Sequence, residues 1–527
     1  MIRICFSLFA LWIFGGSLSA QTTTCHLDRP FYFPGQNLHY AFFSDLLVRD
    51  SCLIGVQFYA GQEEVSMHYA LIKEGHGEGY FPLSFDVSPG EYFLQFTAFE
   101  AKDGDPLVLL TTPVTVLTDG ELLDSNFKIA IFAEDHFKDE IGIQVNKTIS
   151  KRERMDIIVT VPSGKEGDIV SIAIRDKELY PVGTTIRVNP LTGSEDSRSN
   201  FLDFIPMTGE RKILSNEIND KAFLFVCNPE DVQFRFNWVN PDGSFFIKMT
   251  PFYGEKDLYF IDNGKNSIDV SLTDKLPLVK QQVKYSTSQL LVPIVEANRT
   301  RKKIYQLFSN VEESINEDAS SRSQNIPEPD MNIDVQDFSV RGKLVDLLKE
   351  IITPFKFRKE NDGRYTIKVL YQLFDLKYFY DSDPVFIVNG MVTRDFNFIA
   401  NLPLQDIKRL KIYADLKTLR DLKLVDVGGV GIVEMVDPLF ALSENQRLPH
   451  RLVQGLQRPI NYPVESNIQS KNPLLKSLLF WMPNASLDSA GQYHFSVPVS
   501  DDISTFEIEV LHPQLGLTGR QDFKVRM

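Results

Sequence analysis

The 527-residue chain carries a formal net charge of −15, with 43% hydrophobic and 12% aromatic residues. Nucleic-acid binding needs concentrated Lys and Arg, so this charge argues against a nucleic-acid partner and equally against an anionic membrane surface. The length predicts about three to five domains, and a composition with 40 Phe and 18 Tyr favours packed β-strands.

The N-terminus predicts export. Arg3 precedes an apolar run at residues 4–16, and small residues lead to Ala20, which is the layout of a cleavable signal peptide over residues 1–20. A transmembrane anchor needs about 20 consecutive apolar residues, more than this run supplies. The cut falls after Ala20 or within a residue or two of it. Cys25 follows three threonines rather than a lipoprotein motif, so a lipid anchor is not expected.

Cysteine usage predicts one disulfide at most. Cys5 leaves with the signal peptide, so Cys25, Cys52 and Cys227 remain. In an oxidising compartment this odd number leaves one thiol over. We expect Cys25 to pair with Cys52, and Cys227 to be a buried thiol in a strand. A catalytic role for Cys227 is less favoured, because no His stands out to activate it.

The first half of the chain predicts three successive β domains. Residues 21–120 contain short strands at 39–43, 53–59, 80–85 and 92–99, separated by Gly/Pro turns, a pattern typical of a β-sandwich. Residues 121–212 repeat this pattern as a second sandwich. Residues 213–280 give a third β domain, with a hairpin turn at 240–243.

The second half changes character at residue 281. Residues 281–337 read as a polar connector with a helical piece near 304–314. Residues 338–437 predict a compact α/β domain, with an amphipathic helix at 343–352 and strands that follow at 365–370, 385–388, 409–413 and 430–435. Residues 438–527 predict a last β domain. The expected fold class is mainly β and multi-domain.

Residues 28–38 resemble the opening strand of the second macroglobulin domain of α2-macroglobulins, a family of β-sandwich arrays. They read Asp-Arg-Pro-Phe-Tyr-Phe-Pro-Gly-Gln-Asn-Leu, and the later matches lie at 79–83 and 88–92. The positions that carry the resemblance are Tyr32, Pro34, Gly35, Gly90 and Tyr92. The glycines suit turns and the tyrosines suit a core.

Residues 383–392, followed by 406–413 and 427–435, are similar to the plug domain of TonB-dependent outer-membrane receptors. Asn389 and Gly390 stand where that family has Asp-Gly, and both pairs suit a tight turn. No transporter-sized barrel follows in this sequence, so the resemblance implies a detached plug-like domain rather than a transporter.

A third segment resembles the hairpin near the end of macroglobulin-like chains. Its residues are Trp481, Pro483, Asp488 and Gly491. Macroglobulin-like and Ig-like sandwiches combined with a carboxypeptidase-regulatory-like β domain and a plug-like domain form an arrangement found in secreted proteins of Bacteroidota. The resemblance implies an architecture more than an activity.

The motifs of common enzymes are missing from the sequence. There is no Cys-Gly-Glu-Gln thioester, no HExxH or H-x-x-H pair and no G-x-S-x-G elbow. His26, His39 and His68 could meet in the first domain, although separate roles are favoured. Gly428 to Gly431 could suggest a phosphate loop, but the Lys-Ser/Thr of a P-loop is lacking and a Gly-rich strand is favoured.

Paired acidic residues admit structural explanations. Asp381 and Asp383 flank a strand, where solvation or capping accounts for them. Glu328 and Asp330 lie beside prolines in the connector, where acidic residues solvate a loop. Ser489 lies in an Asp-Ser-Ala triplet of the kind O-glycosylated in Bacteroidota, although a β-turn before Gly491 explains it equally.

These observations predict an exported, non-enzymatic protein without cofactor or metal. The favoured function is a scaffold at the outer membrane that docks to an outer-membrane protein or a TonB-dependent transporter-type complex through an exposed sheet edge. The alternative is a secreted or surface binder of proteins or glycans that uses loops of the first sandwich. A hydrolase is the third and least favoured class. No membrane span is expected, and the oligomeric state is left open.

Overall fold

The computed structural model describes residues 21–47, 51–101, 104–117, 129–130, 137–180, 186–191, 201–213, 223–262, 268–273, 276, 278–279, 285–286, 295–297, 299–300, 326–337, 342–352, 354–373, 376–424, 427–459 and 476–527. The predicted signal peptide and the predicted helical piece near 304–314 lie outside these residues. The chain divides into two compact units. Unit 1 comprises 1–203, 276–317 and 457–527, and unit 2 comprises 204–275 and 318–456.

Unit 1 consists mainly of strands in its described part, with a 3-10 helix at Asp45–Leu47 and helical residues at 295–297 and 299–300. The strands are numbered here along the whole chain. They are β1 (Gln21–Leu27), β2 (Asn37–Ser44), β3 (Cys52–Ala60), β4 (Glu63–Ile72), β5 (His76–Pro82), β6 (Gly90–Phe99), β7 (Pro106–Val116), β8 (Ile129–Ala130), β9 (Lys138–Asp139), β10 (Gly142–Gln144), β11 (Thr148–Ser150), β12 (Arg154–Thr160), β13 (Ile169–Asp176), β14 (Ile186–Leu191), β21 (Tyr285–Ser286), β31 (Leu478–Ser486), β32 (Gln492–Pro498), β33 (Thr505–His512) and β34 (Leu517–Arg526).

The first sandwich joins two antiparallel sheets. One sheet has the order β14-β1-β2-β5 and the other β4-β3-β6-β7. Alternate residues of β2, namely Leu38, Tyr40 and Phe42, enter the core between the sheets. The intervening Ala41 and Phe43 face the opposite way and pack against residues of the second sandwich. Strand β2 is therefore buried on both faces, which explains its nearly continuous apolar sequence.

The second sandwich is assembled from two distant parts of the chain. Its sheets are β10-β12-β32 and β11-β34-β33-β13-β31, with β9 on β34. We expected residues 121–212 and 438–527 to form separate domains, but β12 pairs with β32, and β13 lies between β31 and β33. Either part alone would leave its apolar sheet face open, and together they enclose one core.

Unit 2 mixes strands with three short helices in its described part. Its elements are β15 (Ile205–Ile213), β16 (Phe223–Asn228), β17 (Gln233–Trp238), β18 (Ser244–Met249), β19 (Glu255–Asp262), β20 (Ile268–Leu272), β22 (Met331–Asp334), α1 (Leu344–Glu350), β23 (Phe355–Lys359), β24 (Tyr365–Leu373), β25 (Leu376–Phe379), β26 (Val385–Val388), β27 (Met391–Thr393), α2 (Phe396–Asn401), β28 (Ile407–Tyr413), α3 (Leu416–Asp421), β29 (Val430–Met435) and β30 (His450–Gln454).

A small sandwich forms the first part of unit 2. Its sheets are β18-β15-β20 and β17-β16-β19-β30. The predicted domain at 213–280 therefore begins earlier, at β15, and takes its last strand, β30, from the segment assigned to the final domain. Strand β30 pairs along β19 from Glu255 to Tyr259, which supplies an edge partner that the nearer sequence does not offer.

The α/β domain forms the second part of unit 2. Its central sheet has the order β22-β28-β29-β26-β27, and β26 and β29 run parallel. A second sheet, β23-β24-β25, lies within the same domain. Helix α1 buries Leu344, Leu347 and Leu348 in the core. Strand β22 comes from the predicted connector, so the domain begins near residue 331 rather than 338.

The predicted fold class is confirmed. The described residues form a mainly β, multi-domain protein with β-sandwiches and one small α/β domain. Within the described residues, no helix is both long and apolar enough to cross a membrane.

Candidate docking surface

The predicted disulfide is not formed in the structure. Cys25 on β1 and Cys52 at the start of β3 are both thiols, as is Cys227. Cys25 and Cys52 come from opposite sheets of the first sandwich and share its core. Cys227 is buried in β16, as expected, and burial raises the pKa of its thiol far above the ordinary value, so it is a poor nucleophile.

The motif at residues 28–38 closes around the buried carboxylate of Asp28. The Tyr32 hydroxyl donates to Asp28 Oδ1 over 2.7 Å, His39 Nδ1 lies 3.0 Å from Oδ2, and Arg29 pairs with Oδ2 at 2.8 Å. Burial alone would raise the pKa of Asp28, but Arg29 and His39 outweigh it and lower the pKa. Asp28 thus organises this strand entry. Tyr32, predicted to be a core residue, is buried in the core of the first sandwich.

The other residues of the macroglobulin-like motif lie in the same sandwich, in the turn before β2 and on β6. Pro34 is buried and Gly35 has a φ of +83° in the turn before β2. Gly90 begins β6. Tyr92 stacks on Phe58 with ring centroids 4.9 Å apart, and its hydroxyl donates to a backbone carbonyl over 2.7 Å.

Asn389 and Gly390 form the two-residue turn between β26 and β27. Both have positive φ, +44° and +80°, as a type I′ hairpin turn requires. The Asn389 side chain accepts from the Met435 backbone N–H at 2.9 Å and donates to the Asp437 carbonyl at 3.0 Å. These two hydrogen bonds connect the turn to the end of β29 and to the segment that follows it.

The third motif lies on β31 and the turn after it. Trp481 is buried against His26, with ring centroids 5.2 Å apart. The Pro483 carbonyl accepts a hydrogen bond from His76 Nε2 over 3.2 Å.

The turn between β31 and β32 is closed by its own side chain. Asp488 Oδ1 accepts from the backbone N–H groups of Ala490 and Gln492, each over 2.9 Å, and Gly491 has a φ of +69°. Ser489 is exposed at the tip. The Asp-Ser-Ala triplet therefore has a structural role, and Ser489 is also accessible to modification.

A Ser–His–Glu arrangement lies in unit 1 but is closed to substrate. His26 Nδ1 lies 2.8 Å from Ser171 Oγ, and His26 Nε2 lies 3.4 Å from Glu509 Oε2. All three side chains are completely buried. Arg175 bridges Glu509 at 2.7 Å and Glu507 at 2.8 Å. We call these five residues the Arg175 network; it is a buried polar contact between the two sandwiches.

The three histidines that could have met in the first domain, His26, His39 and His68, have separate partners. His26 belongs to the Arg175 network, His39 contacts Asp28, and His68 Nε2 lies 2.8 Å from the Tyr40 hydroxyl. Burial lowers the pKa of His68 to about 3, so this ring is neutral. In the described part of the chain, no group of three or more His, Cys, Asp or Glu is placed to hold a metal ion.

Two further sequence features have structural roles in the α/β domain. A Cβ at Gly428 would lie 2.2 Å from the Ser382 carbonyl oxygen, so close backbone approach accounts for this glycine. Asp330 differs from the expectation of a solvated loop residue. Its carboxylate accepts from the backbone N–H groups of Ala414 and Asp415 and from the Thr418 hydroxyl at 2.5–2.7 Å, which fixes the start of α3.

Strands β24 and β25 form a hairpin that extends beyond the core of the α/β domain. On β24, Ile367 and Val369 lie in the core, and the same face continues outward through alternate residues. Cross-strand pairs place the residues of β25 opposite them. The resulting apolar surface, which we call the hairpin tip face, consists of Tyr371, Leu373, Leu376 and Tyr378.

The hairpin tip face is exposed although it is apolar. Leu376 is 61% exposed, Leu373 43% and Tyr378 41%, and Phe379 on the opposite face is 54% exposed. The rings of Tyr371 and Tyr378 stack with centroids 5.7 Å apart. Clustered exposed apolar side chains of this kind mark interaction surfaces, whereas scattered ones need no explanation.

Strand β25 is also an edge. It ends the order β23-β24-β25, and no described strand pairs with its outer side. Its outward backbone groups are therefore open to pairing with another strand. The three strands carry five basic side chains and no acidic one, in a chain whose net charge is −15; the basic residues are Lys356, Arg358, Lys359, Lys368 and Lys377.

Sequence reasoning found β24 but missed β25 and the hairpin tip face. The signal was present, since two apolar strand segments flank the two residues between Leu373 and Leu376. A two-residue connection is the commonest hairpin loop, but Phe-Asp lacks the glycine that usually marks it.

The fold defines a class, a mainly β protein built from sandwiches with an α/β domain. No protein-family model and no curated protein matches the sequence. Among solved structures, the chain is similar to α2-macroglobulin from Salmonella reacted with methylamine, to the native conformation of the Escherichia coli protein and to its trypsin-activated form. Identities are 8%, 8% and 9%, and each TM-score is 0.23.

These alignments cover 96%, 97% and 96% of this chain but 39%, 40% and 41% of the others. The chain thus spans about two fifths of their length. At these values the comparison does not bear on activity.

Proposed function

We propose that the protein is an exported, non-enzymatic scaffold that docks to an outer-membrane protein or a TonB-dependent transporter-type complex through the β24–β25 hairpin. The observation that carries this proposal is the apolar hairpin tip face beside an open strand edge. Export follows from the signal-peptide pattern at residues 1–20.

The occupant that fits this surface is an extended segment of the partner, added as a strand along β25. Main-chain hydrogen bonds would supply affinity, and alternate side chains would contact the hairpin tip face. The pairing needs no rearrangement, because β25 is already extended and exposed.

Charge specifies the partner segment further. The β23–β25 sheet presents Lys356, Lys359 and Lys377 to solvent, and its strands have no carboxylate. A segment with alternating apolar and acidic residues complements both the apolar face and the charge. A basic segment is disfavoured by repulsion.

The test combines capture with a positional crosslink. A photo-crosslinking amino acid at position 376 should join the protein to one outer-membrane protein in intact cells. The double variant Leu376→Ser/Tyr378→Ser should lose about tenfold or more in affinity for that partner, as expected for the centre of an interface. Lys377→Glu should weaken binding less and with a dependence on salt.

Phe85 provides the matched control. It is 70% exposed on the first sandwich, so Phe85→Ser removes a similar apolar area elsewhere. If Phe85→Ser abolishes partner binding and the hairpin double variant does not, the secreted-binder alternative replaces this proposal. Binding of the wild type to anionic phosphatidylglycerol vesicles, lost in the double variant, would overturn it in favour of a membrane surface.

A further inference from the structure

Unit 2 contains an open cleft between the small sandwich and the α/β domain. The turn before β17 and Arg235 form one wall, and the end of α3 forms the other. Ile326 and Pro327 border it. We call it the Arg235 cleft; its residues are 231–235, Thr250, Ile326, Pro327 and 421–423.

Two cations converge on the Arg235 cleft. Arg235 is half-buried, with its guanidinium 5.8 Å from the centre of the Phe204 ring and a hydrogen bond to the Thr250 hydroxyl. Lys423 lies on the opposite wall, and the charge of Arg235 lowers the pKa of Lys423. Burial lowers the pKa of Arg235 as well. Like charges placed together disfavour each other's charged forms.

No carboxylate within the described residues neutralises this pair. No ion pair there involves Arg235 or Lys423. Two carboxylates border the cleft, Asp231 and Asp421. Asp231 is engaged by Lys256 at 2.8 Å and by Asn228 at 2.8 Å, and among the described residues Asp421 forms no ion pair with either cation. A half-buried guanidinium normally has an anionic partner. We therefore expect a bound ligand to supply the negative charge beside Arg235.

The backbone of the cleft is strained on both walls. Six described non-glycine residues have positive φ, and two of them, Val232 at +50° and Lys423 at +62°, line the Arg235 cleft. A β-branched residue such as Val232 resists this conformation strongly. Strain of this kind accumulates at ligand sites, where the surrounding structure maintains it.

Lys423 occupies a position that normally belongs to glycine. It follows the last turn of α3, its N–H bonds to the Arg420 carbonyl at 2.9 Å, and the Leu424 N–H bonds to the Leu419 carbonyl at 2.8 Å. These two bonds define a Schellman motif, whose left-handed residue is usually Gly. A lysine at this position contributes its charge at the expense of backbone stability.

We propose that the Arg235 cleft binds a carboxylate carried on an apolar group, as at the C-terminus of a polypeptide whose last residue is aliphatic. The guanidinium of Arg235 presents a planar fork that matches a carboxylate, and Lys423 supplies the second positive charge. Phe234, Leu422 and Ile326 provide apolar surface for the attached side chain. This site is separate from the hairpin and does not depend on the docking proposal.

The test uses N-acetyl-L-leucine as the probe, with its amide and inorganic phosphate as comparators, on the chain from residue 21 onward. Saturation-transfer NMR should show magnetisation reaching the leucine methyl groups of the acid. The amide should bind at least about tenfold more weakly, because it lacks the charge that the fork recognises. Arg235→Met and Lys423→Met should each weaken binding of the acid by about tenfold.

Lys248→Met is the matched control, because Lys248 lies on the same small sandwich over the Phe246 ring and outside the cleft. It should leave binding unchanged, and circular dichroism of each variant verifies the fold. Equal binding of acid and amide would overturn the proposal, as would unchanged binding in Arg235→Met. Binding of phosphate as tight as that of the acid would overturn the assignment of a carboxylate.

Discussion

Two arginines on β-strands, Arg175 in unit 1 and Arg235 in unit 2, have opposite surroundings. Arg175 is buried and contacts two carboxylates, Glu507 and Glu509, at 2.8 and 2.7 Å. Arg235 is half-buried and has a hydroxyl, an aromatic ring and another cation as neighbours. Both lie among apolar side chains, and only the first is neutralised by the described residues.

The pKa shifts of Arg175 and Arg235 have opposite directions because of these different surroundings. Burial alone would lower the pKa of Arg175, but Glu509 and Glu507 outweigh it and raise the pKa, whereas burial lowers the pKa of Arg235 without an opposing carboxylate. A buried charge that has its counter-ion stabilises the position of neighbouring elements, and a charge that lacks one favours an incoming anion.

The largest expected effect is on the Arg175 network. Arg175→Ala should lower the free energy of unfolding of unit 1 by about 3 kcal/mol, because Glu509 would stay completely buried with the partly exposed Arg520 as its remaining arginine partner. Denaturant unfolding followed by Trp481 fluorescence measures this, on the chain from residue 21 onward in a Trp238→Phe background, so that the buried indole is the one tryptophan present.

Two further variants serve as controls for the effect of Arg175→Ala on stability. Lys177→Ala removes an exposed ion pair with Asp522 (2.6 Å) and a longer contact with Glu507 (3.7 Å) in the same sandwich. It should cost well under about 1 kcal/mol. The double variant Arg175→Met/Glu509→Leu should recover much of the loss, because an apolar pair leaves no buried charge. A small effect of Arg175→Ala would contradict the assignment of the network to stability.

Local patterns in the sequence predicted much of this fold. Strand β26 and strand β29 were predicted with the bounds observed, 385–388 and 430–435. Strand β26 is a continuous apolar run, and β29 is apolar except for Gly431 and Glu434. The Asn389–Gly390 turn follows from residues that tolerate positive φ. Such features depend on neighbours in the chain, which a sequence displays directly.

Long-range assembly could not be predicted in this way. Nothing local indicates that β13 pairs with β31 and β33, more than 300 residues away, since alternation fixes a strand's faces and not its partner. The Arg235 cleft was missed for the same reason, whereas the hairpin tip face had a local signal. Arg235, Thr250 and Lys423 are unremarkable separately, and only the fold brings them to one cleft.

The next effect concerns Glu78, a carboxylate with which no cation of the described residues forms an ion pair, unlike Glu509. Glu78 lies opposite Ala41 on the sheet face that meets the second sandwich, and burial raises its pKa from 4.5 to about 7. At 1.36 kcal/mol for each pKa unit, the difference between the folded and unfolded pKa of Glu78 corresponds to on the order of 3 kcal/mol at most in the free energy of unfolding.

The direction in which stability changes with pH follows from the pKa of Glu78, which is higher in the folded than in the unfolded protein. The contribution of Glu78 to stability is complete below pH 4.5, declines as the pH rises and is lost above about 7. Relative to Glu78→Gln, the wild type should therefore lose stability between pH 5 and 8. His76, whose pKa burial lowers to about 4, acts in the opposite direction but is common to both proteins. A constant difference across this range would contradict the burial of Glu78.

The smallest expected effect separates charge from backbone in the Arg235 cleft. Lys423→Gly should raise the free energy of unfolding of unit 2 by about 1 kcal/mol, because it relieves a φ of +62° at the end of α3 and removes a cation beside Arg235.

Arg152 is the matched control. It has the same φ of +62° but pairs with Asp501 at 2.7 Å, so Arg152→Gly relieves the same strain while losing an ion pair and should change stability by less. Thermal unfolding of both variants measures the contrast, and Lys423→Gly should also bind N-acetyl-L-leucine about tenfold more weakly. A variant that gains stability and loses the ligand would show that Lys423 is retained for its charge. A loss of stability instead would mean that the lysine supports the end of the helix, and the difference drawn between Arg175 and Arg235 would then rest on Arg235 alone.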